Sequence, residues 1–134
     1  MLLFEFVVIG IPVSQQTRRK ARLKEWKDTV RNEAVRQWPN GRPLFGQPIQ
    51  IVATYYYEDV PLDTDNMIKP IQDALKGLVY SDDCLVTDSR AAKRNLAGSF
   101  RVKGMSSILA QGFCSGHEFI HVKILESPSQ EELV

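Results

Sequence analysis

Apolar and polar positions divide the chain into strand-like and helix-like stretches. Leu2–Ile9 is apolar but for Glu5 and is rich in Phe, Val and Ile. Gly10 and Pro12 end it, which predicts a buried first strand followed by a loop through Gln16. From Thr17 to Trp38, Leu23, Trp26, Val30, Ala34 and Trp38 recur at helical spacing, with Ala21 and Val35 alongside. No Gly or Pro interrupts before Pro39, so a long helix capped by Thr17 is predicted. Pro39–Pro48 holds three prolines and two glycines and reads as a loop with turns. Ile49–Tyr57 is β-branched and aromatic, a strand. Met67, Ile68, Ile71, Ala74, Leu75 and Leu78 then mark an amphipathic helix that starts near a capping Asn66 and ends at Gly77–Tyr80. Pro70 would stand at about its fourth position. Cys84–Ala97 reads as a strand despite its charged half. Gly98–Gly116 reads as a loop, with Met105–Ala110 unassigned. Glu118–Leu125 alternates as a last strand, and Ser127–Val134 is a polar tail.

This order, β-α-β-α-β-β, predicts an α+β fold: one domain over residues 1–126, a mixed four-stranded sheet with two helices packed on one face, and residues 127–134 as a tail. A chain of 134 residues buries enough surface to fold without disulfide or structural metal. Cys84 and Cys114 suggest no secreted framework and read as reduced thiols, hence a cytoplasmic protein. The apolar start lacks a basic region and a small-residue cleavage site, so it reads as a strand and not a signal peptide. No run approaches the ~18 apolar residues of a membrane span, so no membrane partner is expected.

The net charge of +1 is uninformative, but its distribution is not. Ser14–Pro43 carries nine Lys/Arg against three Asp/Glu. Glu58–Asp88 carries eight acids against two lysines, and Ser89–Gly116 five basic residues and no acid. Strong local fields of opposite sign follow. A basic helix face is by itself only a solvated face, so the segregation matters more than either block.

The acidic segment carries the candidate chemistry. Asp63 and Asp65 are two apart, and in an extended segment leaving a strand both carboxylates would point one way. Lys69, Asp73 and Lys76 would continue as a polar stripe along the following helix. Asp82 and Asp83 come after it, and would approach the first pair if the next strand ran antiparallel to Ile49–Tyr57 or took a register that the sequence does not fix. Converging carboxylates repel unless a hard cation lies between them, and oxygen-only ligands favour Mg²⁺ or Mn²⁺ over zinc. Such an ion, with Lys69 on the phosphate or helping to activate water, could hydrolyse a phosphodiester. The same residues also serve as capping and turn chemistry. Spacing alone leaves both readings open.

The ordered set Asp63-Thr-Asp65-Asn66-x-x-Lys69-Pro70-x-x-Asp73-Ala74-Leu75, with Asp82-Asp83 beyond, resembles the signature of RusA-type Holliday junction resolvases. Gly10-Ile-Pro12 after the first strand, and the basic segment after that, resemble the family's layout. The resemblance implies a Mg²⁺-dependent, homodimeric endodeoxyribonuclease that cuts four-way DNA junctions in recombination and repair, with Mn²⁺ as a substitute and a nucleoid-associated location. It implies Asp63, Asp65 and Asp83 as catalytic metal-binding carboxylates and Lys69 as the essential lysine. It implies Asp82 as a further candidate ligand, with Asn66 and Asp73 supporting. Arg18, Arg19, Lys20, Arg22, Lys76, Lys93, Arg94, Arg101 and Lys103 are candidates to hold DNA phosphates. Gly98–Gly116 matches no family feature.

Rival readings are a nuclease for flaps, forks or single strands, a non-catalytic DNA-structure-binding module, and a protein-interaction domain. Cys114, His117 and His121 have zinc-like spacing but lack a fourth ligand nearby. Tyr55, Tyr56 and Tyr57 read as strand packing rather than base stacking.

Overall fold

A computed structural model describes residues 1–59, 62–99, 101–129 and 131. Pro61, at the head of the acidic segment, and most of the end of the predicted tail lie outside the described residues. The order is β1 (Leu2–Ile9), α1 (Lys20–Gln37), β2 (Ile49–Tyr57), α2 (Thr64–Leu75), a 3₁₀ turn (Asp83–Leu85), β3 (Val86–Asn95), α3 (Ser107–Cys114) and β4 (Phe119–Glu126). The α+β class and mixed four-stranded sheet are as predicted.

Strands lie in the order β1-β4-β2-β3. The last strand inserts between β1 and β2 and is antiparallel to both. β2 and β3 are parallel, with Ile49 opposite Val86 and Tyr57 opposite Asn95. Alternate residues of each strand therefore face the same layer. Phe4, Phe6 and Val8, Ile51, Ala53 and Tyr55, and Ile120, Val122 and Ile124 meet Leu23, Trp26, Val30 and Ala34 of α1 and Met67, Ile71 and Leu75 of α2 in the main core. Met67, Ile71 and Leu75 are fully buried, each contributing roughly 1.5–3 kcal/mol relative to exposure. That burial, not propensity, holds a helix with proline in its interior. Trp26 is a core residue, and Trp38, partly buried, packs edge-on against Phe4 and Phe45 at the margin of the core.

The predicted two-helix layout is corrected by a third helix within the stretch expected to be loop. α3 lies on the other side of the sheet, where Leu109 and Phe113 pack with Tyr56 and Phe119. Ser106 caps it, its hydroxyl accepting from the Leu109 N–H at 3.1 Å. Two boundaries also shift. α1 begins at Lys20 rather than Thr17, whose hydroxyl instead accepts from the Arg19 N–H in the preceding turn. α2 begins at Thr64, two residues before Asn66, which puts Pro70 seven residues into the helix rather than four.

Pro70 has a structural consequence. It has no N–H to give the carbonyl of Asn66, four residues back. That carbonyl instead accepts from the Gln15 N–H at 2.9 Å. The loop between β1 and α1 is thereby fastened to the first turn of α2.

Candidate metal and nucleic-acid site

Asp63 is the N-cap residue of α2 and Asp65 lies in its first turn. Both are exposed. The Asp63 side chain makes no capping hydrogen bond, although its position invites one. The capping reading therefore does not account for it, and among the described residues its carboxylate is uncommitted. The helix dipole favours negative charge here. Because α2 starts early, the pair is not on an extended segment, and the alternation expected from the sequence does not set their relative direction.

Lys69 follows one turn after Asp65 and pairs with Asp73 at 2.9 Å. Asp73 also pairs with Lys27 of α1 at 3.3 Å, so one carboxylate ties two lysines and two helices. Burial raises the Asp73 pKa, but hydrogen bonds and charge from Lys69 and Lys27 outweigh it and the net shift is downward. The hydrogen bond to Asp73 raises the Lys69 pKa against a smaller effect of burial, and the charges of Asp73 and Asp83 add to the rise. The shift favours the charged form of Lys69, which suits it to holding a phosphate.

Asp83 is not brought to Asp63 and Asp65. Antiparallel strands were one of the two arrangements expected to bring them together, the other being a suitable register. Because β2 and β3 are parallel, the start of β3 lies at the opposite end of the strand pair from the end of β2. α2 spans the gap, about 18 Å for its length. At its far end Asp83 sits 3.5 Å from Lys76. Asp82 caps the 3₁₀ turn, accepting from the Cys84 N–H at 3.1 Å, and that bond lowers its pKa. Its carboxylate is engaged in the turn that the sequence offered as the alternative to a ligand.

Among the described residues, no three carboxylate, imidazole or thiol groups lie close enough to hold one ion. A cage of three aspartates thus does not fit a single chain. Mg²⁺, however, is commonly bound by one or two carboxylates, the rest of its shell being water and substrate phosphate. The exposed pair Asp63 and Asp65, uncommitted among the described residues, fits that requirement. The zinc-spaced residues do not assemble: Cys114 and His117 are exposed, while His121 is buried against Glu5 at 2.7 Å.

The basic residues fall into three groups. Arg18, Arg19, Lys20 and Arg22 are exposed around the start of α1, whose first turn has no acid. Cations there are disfavoured by the helix dipole, by about 0.3–1 kcal/mol each, and make an electropositive end. The Gln15–Asn66 bond brings this end to the site: Arg18 is three residues from Gln15, at most roughly 11 Å of chain. Lys93 lies on the helix side, 3.5 Å from the carbonyl of Leu62 beside Asp63. Lys76 belongs to the far end with Asp83. Arg94, Arg101 and Lys103 lie on the other face of the sheet, lining a cavity there.

Two functional-looking positions were not singled out from the sequence. Lys27 and Arg31 stand four apart on α1, and this row points at α2. Arg31 donates to the carbonyls of Ala74 and Lys76, both at 3.2 Å, and so closes the C-terminal end of α2.

Comparison with known families finds a match over residues 11–103 to the family described as Endodeoxyribonuclease RusA. No curated protein matches the chain. The matched span includes the α1 cations, Asp63, Asp65, Lys69, Asp73, Asp82 and Asp83, and ends before α3. The ordered acidic motif and the match over most of the chain agree, and the chain belongs to the RusA endodeoxyribonuclease family, whose nucleases act on Holliday junctions and depend on a divalent metal.

Proposed function

We propose that the protein is a Mg²⁺-dependent, homodimeric endodeoxyribonuclease that resolves four-way DNA junctions in recombination and repair, with Mn²⁺ able to replace Mg²⁺. The observation that carries this reading is the pair of carboxylates uncommitted among the described residues, Asp63 and Asp65, one turn from Lys69, whose charged form is favoured. Asp63 and Asp65 would hold the divalent ion. When bound, that ion supplies a polarised phosphoryl oxygen and an acidified water. Lys69 places its charge on the scissile phosphate and stabilises the negative charge that builds there. Asp73 is a positioning residue, holding the Lys69 ammonium against the surface of α2. The cations at the start of α1 engage the flanking phosphates. Asp83 shares an ion with the pair only if it reaches their end of α2; in one chain it instead neutralises Lys76 and adds to the field that keeps Lys69 charged. Two copies related by a two-fold axis give the paired cuts that resolution needs.

The test is cleavage of a synthetic mobile four-way junction by wild type and Asp65→Asn, beside flap, fork and single-stranded substrates. Wild type is expected to cut the junction in paired fashion with Mg²⁺ or Mn²⁺. Asp65→Asn is expected to lose cutting while still binding the junction. Equal cutting by both proteins would overturn the assignment of the site, and preferential cutting of flaps or single strands would overturn the substrate.

A further inference from the structure

The half of the sheet not covered by α3 forms the floor of a cavity of about 370 Å³, on the side away from α1 and α2. Four cations from three parts of the chain converge on it: Arg94 at the end of β3, Arg101 and Lys103 in the following loop, and Lys123 of β4. None of the four forms an ion pair among the described residues. The cavity has one carboxylate, Glu5. It is directly opposite Lys123 across the β1–β4 pairing, yet it does not bridge to it. Its Oε2 instead accepts from the Ser106 hydroxyl at 3.0 Å and lies 2.7 Å from His121 Nε2.

The position of Lys123 is the telling feature. β4 is an inner strand, and Lys123 is half-buried there with no ion pair among the described residues. Burial of an unpaired ammonium is costly, and four like charges around one hollow repel one another. A solvated basic face would spread such charges outward over a convex surface. Here they line a concavity where, among the described residues, four cations face one carboxylate, Glu5, whose Oε2 is already taken up by Ser106 and His121, and the Thr54 and Ser106 hydroxyls add neutral polar groups to the wall. The arrangement is relieved by an anion. Among the described residues of the wall the aromatic is Tyr56, which is buried and stacked on Phe119 and so offers no exposed ring to a base. Phosphate is the group recognised, and the chemistry carries no base information.

We propose that this cavity binds a backbone phosphate of a DNA arm running behind the sheet, so that the substrate contacts both faces of the protein. The inference rests on the family's substrate being DNA, and it does not depend on the metal site or on cleavage. It also gives Lys123, which lies beyond the matched family span, a binding role.

The test is binding of a labelled four-way junction in EDTA, followed by fluorescence anisotropy across a salt series. The proteins are wild type, the loop variant Arg101→Gln/Lys103→Gln, and Lys123→Gln. One phosphate held in the cavity contributes about 0.9 to the slope of log affinity against log salt, so each variant is expected to lessen the slope by up to about 0.9. Amide shifts at Ser106 and Lys123 on adding DNA to wild type give a reading that does not depend on any variant folding. Unchanged slopes in both variants, or DNA-induced shifts that spare Ser106 and Lys123, would overturn the proposal. So would saturation of those shifts by inorganic phosphate that DNA cannot displace, since the cavity would then serve a small phosphate. Because no metal is present, the outcome stands whether or not the protein resolves junctions.

Discussion

Lys69 and Asp73 illustrate how single residues gain their properties from neighbours. Lys69 lies half-exposed on α2, and its charge is held by an aspartate one turn on and by a lysine on another helix that holds that aspartate. Asp73→Asn removes the tie between α1 and α2. The expected loss of stability is about 1 kcal/mol, the upper range for exposed pairs because the three charges form a network. The sign with pH follows from the lowered Asp73 pKa. Its stabilising charge is present above the ordinary aspartate value and is lost as pH falls through the lower, folded value. Urea denaturation of wild type and Asp73→Asn should therefore differ at neutral pH and converge in acid. A difference that persists in acid would show that the contacts, not the charges, matter. At this scale the sequence was legible where residue type decides the chemistry, as with Asp63, Asp65 and Lys69. It was silent on Lys27, because a lysine pointing to another helix looks like one pointing to water.

At the scale of elements, two small residues determine what can pack. Gly112 is buried in α3, and a Cβ added there would lie 2.4 Å from the ring of Phe119. That ring cannot move freely, because it stacks on Tyr56 and meets Phe113 edge-on. Gly112→Ala is expected to cost about 1–3 kcal/mol by overpacking, despite alanine's better helix propensity. Thermal unfolding checks it: a stabilised variant would mean that α3 is not seated as described. Pro70 acts through an absence. Pro70→Ala restores an N–H that competes for the Asn66 carbonyl and should release Gln15. Faster amide exchange at Gln15 in the variant is the expected signature, and unchanged exchange would show that the loop is held by other contacts.

These elements also explain what the pattern of the chain concealed. The strands and the two long helices were legible because their apolar positions are periodic and bounded by Gly, Pro or a cap. α3 has eight residues, contains a glycine and buries only Leu109 and Gly112, too little to make a helical stripe. Ser106 was its one readable sign, a cap just before Ile108 and Leu109. The early start of α2 was concealed because Thr64 and Asp65 add no apolar position to the stripe that marks the helix.

For the whole molecule, the sheet separates two environments. His121 points into the face opposite the main core, where burial lowers its pKa, Glu5 opposes the shift and Lys123 adds to it. The unfolded chain therefore binds a proton more readily than the folded one. Stability should be level above the ordinary histidine value of 6.5, then fall as pH drops from there toward the lower, folded value. His121→Gln should flatten that part of the curve, measured by urea denaturation before the carboxylates titrate. A fall that persists unchanged in the variant would exclude His121 as its source.

The α+β class, the acidic motif and its order, the charge segregation and the family were all legible in the chain before it folds. Each of these resides in residue type and short-range spacing. The insertion of β4 between β1 and β2, and the parallel run of β2 and β3, are settled only in three dimensions. Strand pairing joins residues far apart in the chain, and nothing local encodes its direction. That direction sends Asp83 to the far end of α2 while Asp63, Asp65 and Lys69 stay together. The pleat of β3 puts Arg94 on the opposite face, where Arg101, Lys103 and Lys123 also lie, so the basic residues grouped along the sequence occupy two surfaces in the fold.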